Sequence, residues 1–172
     1  MFAILGWINV IVAGIAVTAP MAHVLEMPSK LTLEGPLWLA IQQTLYRGWG
    51  PVFAPVEITA LLSSLALVFL RRRRGRPAGA TIAATIAYVL MLAMFFVFND
   101  PVNAALSGWT PETMPADWPD YRLRWEAGHT LAAILAVFAF VNLLGAWIAD
   151  RQVPGPVREP VVGARAPEAP RH

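Results

Sequence analysis

Four stretches of about twenty residues, each almost wholly apolar, dominate this chain. They run from Phe2 to about Ala22, from Val52 to Leu70, from about Ala78 to Phe98 and from about Ala127 to Ala149. That length matches the hydrocarbon core of a bilayer. A backbone inside that core must satisfy its own N–H and C=O groups, which favours α-helices. Composition points the same way: 57% of residues are hydrophobic and only 14% charged, against roughly 25% charged in soluble domains. Mean hydropathy is +0.54. The expected fold is all-α, a transmembrane antiparallel four-helix bundle occupying residues 1–150. The first stretch lacks a basic n-region and exceeds a usual signal-peptide h-region, so it reads as a span.

The connections set the expected orientation. Arg71 to Arg76 place five arginines between spans two and three. Between spans three and four, Asp100, Glu112, Asp117, Asp120 and Glu126 face only Arg122 and Arg124, a net of −3. Cytoplasmic loops are enriched in Lys and Arg. The arginine loop and both termini are therefore expected in the cytoplasm of a multi-pass cell-membrane protein, with the two longer loops outside. Residues 151–172, rich in proline and mixed charge, read as a disordered cytoplasmic tail.

In the first outer loop, Pro36 to Gly50 has apolar residues at helical spacing between a proline and a glycine, which predicts a short interfacial helix. Trp38, Trp49, Trp109, Trp118 and Trp125 fall in or beside the outer loops. They form either an aromatic belt at the membrane surface or an aromatic wall over a ligand site. The absence of cysteine excludes disulfides and thiolate chemistry. The basic run lies between two spans, so it reads as a topology signal; nucleic acid is not an expected partner.

Ionisable groups inside spans are costly and point to function. Span one ends in His23-Val-Leu-Glu26 and span four begins with Glu126-Ala-Gly-His129. Glu57 lies in span two, roughly 7–8 Å below its outer edge at a helical rise of 1.5 Å per residue. Asn99-Asp100-Pro101-Val102-Asn103 closes span three. The His-x-x-Glu and Glu-x-x-His orders are reversed, and spans one and four are antiparallel. The reversals cancel, so both histidines reach one depth and both glutamates another. If both faces point inward, the four converge beside Glu57 and Asp100. Asn9 and Asn142 reach a matched depth in the other half, where a hydrogen bond of about 1 kcal/mol is expected between them.

Several chemistries suit such a cluster. His23, Glu26, Glu126 and His129 form a candidate metal set for iron, copper, zinc or manganese, similar in part to Glu-x-x-His bundle sites. Two histidines at one depth also suit axial haem ligation. Without a cofactor, a poorly hydrated Glu57 or His129 can act as acid or base. Alternatively, Glu57 pairs with Arg47, Arg122 or Arg124 and fixes loop packing, and Asp100 and Asn103 form a turn around Pro101.

Four segments together resemble one family: Ala22-His23-Val24-Leu25-Glu26, Tyr46-Arg47-Gly48-Trp49-Gly50-Pro51, Asn99-Asp100-Pro101-Val102-Asn103 and Arg124-Trp125-Glu126-Ala127-Gly128-His129. They are similar to the anthrone oxygenase-like family of small four-helix membrane proteins, over about residues 1 to 150. Characterised members are implicated in oxidising polyketide anthrones to anthraquinones. The resemblance makes Asn103, Arg124, Trp125, Glu126 and His129 the motif residues.

The leading expectation is a membrane oxidoreductase acting on a hydrophobic small molecule at the outer face. Its catalytic candidates are Glu57, Asn103, Arg124, Glu126 and His129. A haem- or metal-binding protein for electron transfer or assembly is a second class, and a non-catalytic interaction subunit a third. Membrane lipid is an expected partner, and the sequence admits a homo-oligomer.

Overall fold

The computed structural model describes residues 2–152. Six α-helices follow in order: α1 Phe2–Lys30, α2 Gly35–Thr44, α3 Trp49–Arg73, α4 Gly79–Met94, α5 Asp100–Leu106 and α6 Trp118–Gln152, with a π-helical turn, Phe95–Asn99, joining α4 to α5. Four rods are long and apolar enough to cross a membrane: α1, α3, α4 continued through α5, and α6. α1 and α4 each pack against both α3 and α6, closing a four-membered ring. The short helix expected in the first long loop is α2, ending at Thr44 instead of running to Gly50. Beyond Gln152 the tail expected over 151–172 lies outside the described residues.

The bundle closes tightly because its core is built from small side chains. Ala13, Ala16, Ala60, Ala84, Ala136 and Ala139 are fully buried between the helices, which lets backbones approach and dispersion contacts accumulate. Large apolar residues such as Ile11, Leu62, Val89 and Ile134 point outward, as a lipid-facing surface requires.

Each apolar stretch extends further as helix than hydropathy alone implies. α1 continues past Ala22 to Lys30, through Pro20 and Pro28. α6 starts at Trp118, nine residues before the expected Ala127. The third rod does not stop at Phe98. Pro101 has no N–H and cannot donate to the Val97 carbonyl four residues back. One wider turn absorbs the misfit, and the Asp100 N–H bonds to the Phe95 carbonyl instead. Arg124 Nη2 donates to the Val97 carbonyl at 2.5 Å, so the acceptor that proline strands inside a membrane rod is answered by a neighbouring helix.

The expected Asn9–Asn142 bond does not form. Asn9 Nδ2 donates to Ser63 Oγ at 2.8 Å and Ser64 Oγ at 2.9 Å, both on α3. Asn142 donates to the Phe138 carbonyl of its own helix. Matched depth leaves the facing direction free, and Asn9 turns to the two serines.

At the arginine end, Arg71 is buried. Its Nη1 donates to the Pro77 carbonyl and its Nη2 to the Ala146 carbonyl, each at 2.8 Å. Arg71 and Arg76 both bond Asp150. Gly75, at φ 63°, supplies the left-handed residue that turns the chain between α3 and α4.

Candidate functional site

The end of the bundle carrying α2 is different in character. α2 packs down as a cap: Trp38 and Leu39 are buried in a cluster with Val102, Leu106 and Trp125. Trp38 and Trp125 are therefore core residues and not members of a surface belt. Beneath the cap, the imidazoles of His23 and His129 meet with ring centroids 4.1 Å apart. Trp125 lies 4.2 Å from His129 and 4.7 Å from His23. Tyr46 and Trp49 lie 4.6 and 4.9 Å from His23. The two helices thus turn their histidines towards each other, inside an aromatic box.

Trp125 is held by the Asn-x-x-x-Asn pair. Asn99 Nδ2 donates to the Trp125 carbonyl at 2.9 Å, and Trp125 Nε1 donates to Asn103 Oδ1 at 3.0 Å. Spacing of four puts both amides on one face of the rod. Asn99 reaches α6 only because position 128 is glycine. A Cβ there would lie 2.7 Å from Phe98 Cβ and closer still to Asn99 Oδ1.

The carboxylates converge on a cation that sequence reasoning overlooked. Lys30 Nζ lies 3.1 Å from Glu126 Oε2 and 3.0 Å from Glu126 Oε1. It is also 4.0 Å from Glu26 Oε2. Its hydrogen-bond geometry serves Oε2, leaving Oε1 charge attraction alone. Both partners are buried, Lys30 at 3% and Glu126 at 2% exposure. The ammonium also lies 4.7 Å from the centre of the Trp125 ring, a favourable cation–π placement. Glu26 is half-exposed, sits 3.9 Å from His23 Nδ1 and accepts a 2.5 Å hydrogen bond from the Tyr46 hydroxyl. Tyr46 lies in the α2–α3 connection. Burial first, and this bond second, push its phenol above the usual tyrosine value. The signal for Lys30 was present in the sequence: His23, Glu26 and Lys30 fall at i, i+3 and i+7, one helix face.

A cavity of about 940 Å³ opens beside the histidines. His23, His129, Glu57 and Asn103 line it, with Gln42 and Arg47. Trp49, Trp109, Trp125 and Phe53 supply aromatic wall. Glu126 and Glu26 stand behind that wall with Lys30. Arg124 is committed to Val97, and Asp100 is exposed at the start of α5; neither borders the cavity. Arg122 caps α1 by donating to the carbonyls of Lys30 and Leu33. Glu57 forms no ion pair with Arg47, Arg122 or Arg124 among the described residues.

The donor set His23, Glu26, Glu126 and His129 does not fit a metal ion. Lys30 already occupies the space between the two carboxylates, and no group of three or more donors among the described residues is arranged to hold a metal. Axial haem ligation needs the imidazoles on opposite faces of a porphyrin plane. Rings in contact at 4.1 Å leave no gap for one.

Comparison of the chain with protein-family models, curated proteins and solved structures gave no match. The fold itself defines the class: an integral, multi-pass membrane protein built as a helical bundle.

Proposed function

We propose that this protein is a membrane oxidoreductase of the anthrone oxygenase type, oxidising a planar, hydrophobic phenolic substrate within the cavity. The positive-inside pattern puts the arginine loop and both termini in the cytoplasm and the cavity at the outer face. The observation that carries the reading is the His23–His129 pair in the wall of a large aromatic cavity. Aromatic walls suit a flat ring system. Imidazole is the side chain best matched to proton transfer near neutral pH.

The chemistry balances without a resident cofactor. A CH₂ flanked by aromatic rings loses a proton to an imidazole nitrogen of His129 or His23. The carbanion adds dioxygen and a proton to give a hydroperoxide. Loss of water leaves the ketone, so one oxygen atom enters the product and the other leaves as water. The Gln42 amide, which lines the cavity with its Nε2 unpartnered among the described residues, stabilises the developing oxyanion by donating to it. Asn103 and Glu126 act through others: Asn103 orients Trp125, and Glu126 anchors Lys30.

The test is oxidation of a dihydroxyanthrone by protein in lipid nanodiscs, followed by oxygen uptake and quinone absorbance. One dioxygen consumed per quinone formed is expected. His129→Ala is expected to reduce the rate about 10²–10⁴-fold, the usual value of a positioned acid–base group. Full rate in a His23→Ala/His129→Ala double variant removes the proposal.

A further inference from the structure

The cavity is not enclosed by the bundle. Ile58 of α3 and Phe95 and Phe96 of the π-helical turn line it, and they are 48%, 38% and 64% exposed. All three belong to membrane-spanning segments. The cavity therefore reaches the lipid-facing surface between α3 and the π-helical turn, at a depth where the bundle meets acyl chains. The wide turn that Pro101 imposes on the third rod lies at this opening.

Lining chemistry differs by element. α2 contributes Gln42, Gln43 and Thr44 and the connection after it Arg47, whereas the spanning helices α3 and α4 contribute Ala54, Ile58, Met91 and Leu92, with Glu57 among them. Two buried polar atoms on residues that line the cavity have no partner among the described residues: Gln42 Nε2 and His23 Nδ1, on residues 8% and 3% exposed. A ligand oxygen would give the Gln42 amide the acceptor it lacks. The volume of about 940 Å³ stands near the top of the range of roughly 300–1,000 Å³ for small-molecule pockets. That exceeds the need of a bare fused-ring substrate.

We infer that the site takes a ring-and-tail lipid: a planar oxygenated ring, quinone or polyphenol, seated between Gln42 and the histidine pair, with an aliphatic chain leaving through the gap between α3 and the π-helical turn. This rests on the proposed reading that the cavity binds a flat oxygenated aromatic, and it adds the chain, its path and Gln42 as the ring-reading residue. The ligand diffuses in the bilayer and enters sideways, so the α2 cap need not open.

Paired probes with one ring test it: menadione, which has no chain, and menaquinone-4, which has an isoprenoid chain. Each is titrated into protein in phosphatidylcholine nanodiscs, with concentrations as mole fractions of lipid so that partitioning cancels. Saturable quenching of tryptophan fluorescence reports binding, since Trp49, Trp109 and Trp125 border the cavity. The chain-bearing probe is expected to bind at least tenfold tighter. Gln42→Leu is expected to weaken both probes about equally. Ile58→Phe/Leu92→Phe, which narrows the opening, is expected to weaken menaquinone-4 alone, with retained menadione binding showing an intact fold. Equal affinity for the two probes, no saturable quenching by either, or equal loss of both on narrowing overturns the inference. Failure of anthrone oxidation with chain preference intact counts against the enzymatic reading and leaves this one standing.

Discussion

The two ends of the bundle handle polar groups in opposite ways. At the arginine end, Arg71 spends its donors on two backbone carbonyls and Asp150, and Arg76 adds a second bond to the same carboxylate at 3.0 Å. At the α2 end, Lys30 and Glu126 are paired, but His23 Nδ1 and Gln42 Nε2, both on residues lining the cavity, lack hydrogen-bond partners among the described residues. A satisfied network fixes helix ends. A network with free buried donors and acceptors beside a cavity is built to meet something else. The same chain therefore uses charge for architecture at one end and for recognition at the other.

The sharpest way to break this contrast is to remove one ion from each end. Lys30→Met leaves Glu126 buried without its cation and is expected to cost about 3–5 kcal/mol. Asp150→Asn is expected to cost less, about 1.5–3 kcal/mol, the usual value of hydrogen bonds to a charged group, because Arg71 keeps its bonds to the Pro77 and Ala146 carbonyls. SDS-unfolding titrations of the two variants measure both, and a Lys30→Met/Glu126→Met double variant is expected to recover most of the loss. Equal costs at the two ends would contradict the picture of a deeply buried pair.

Next in size is Gly128→Ala. The added methyl overlaps Asn99 and Phe98, and overpacking of this kind costs about 1–3 kcal/mol. The effect is expected to be local: the near-ultraviolet circular dichroism of the clamped Trp125 changes, while Arg71 and Asp150 at the far end keep their bond. A variant with unaltered tryptophan spectrum would show that the Asn99 clamp is not what orients the ring.

The smallest effect concerns Tyr46, which joins the cap to Glu26. Its folded-state phenol is held above the ordinary value by burial and by that bond. The stability it contributes is therefore complete below about pH 10, the unfolded value, and is lost as pH rises towards the folded value. Tyr46→Phe is expected to cost about 1 kcal/mol at neutral pH, with a flatter alkaline decline than the parent protein. Identical alkaline slopes in the two proteins would place the buried phenolic proton elsewhere.

The α2 end also shows how much of the site could be read in advance. The reversed His23-x-x-Glu26 and Glu126-x-x-His129 spacings were enough to predict matched depth for the two imidazoles, because helical rise is fixed and the spans alternate in direction. Spacing carried less for the other candidates. Arg124 and Asp100 lie in the right segments, yet one serves a carbonyl stranded by Pro101 and the other is exposed and does not line the cavity. Lys30 lies eight residues beyond the apolar stretch that ends at about Ala22, although the helix continues to it. Hydropathy reports where lipid contact ends, not where backbone hydrogen bonding ends.

By itself, the sequence determined four membrane rods and the matched level of His23 and His129, since length, apolar run and rise per residue are local properties. Only the tertiary structure decided which way each side chain faces. Asn9 chose the serines of α3 over Asn142, Glu126 met an ammonium where a metal had been an option, and a π-helical turn opened the bundle towards lipid. Those outcomes depend on the rotation of whole helices about their axes, which is fixed by packing among four rods at once and leaves no mark within any single one of them.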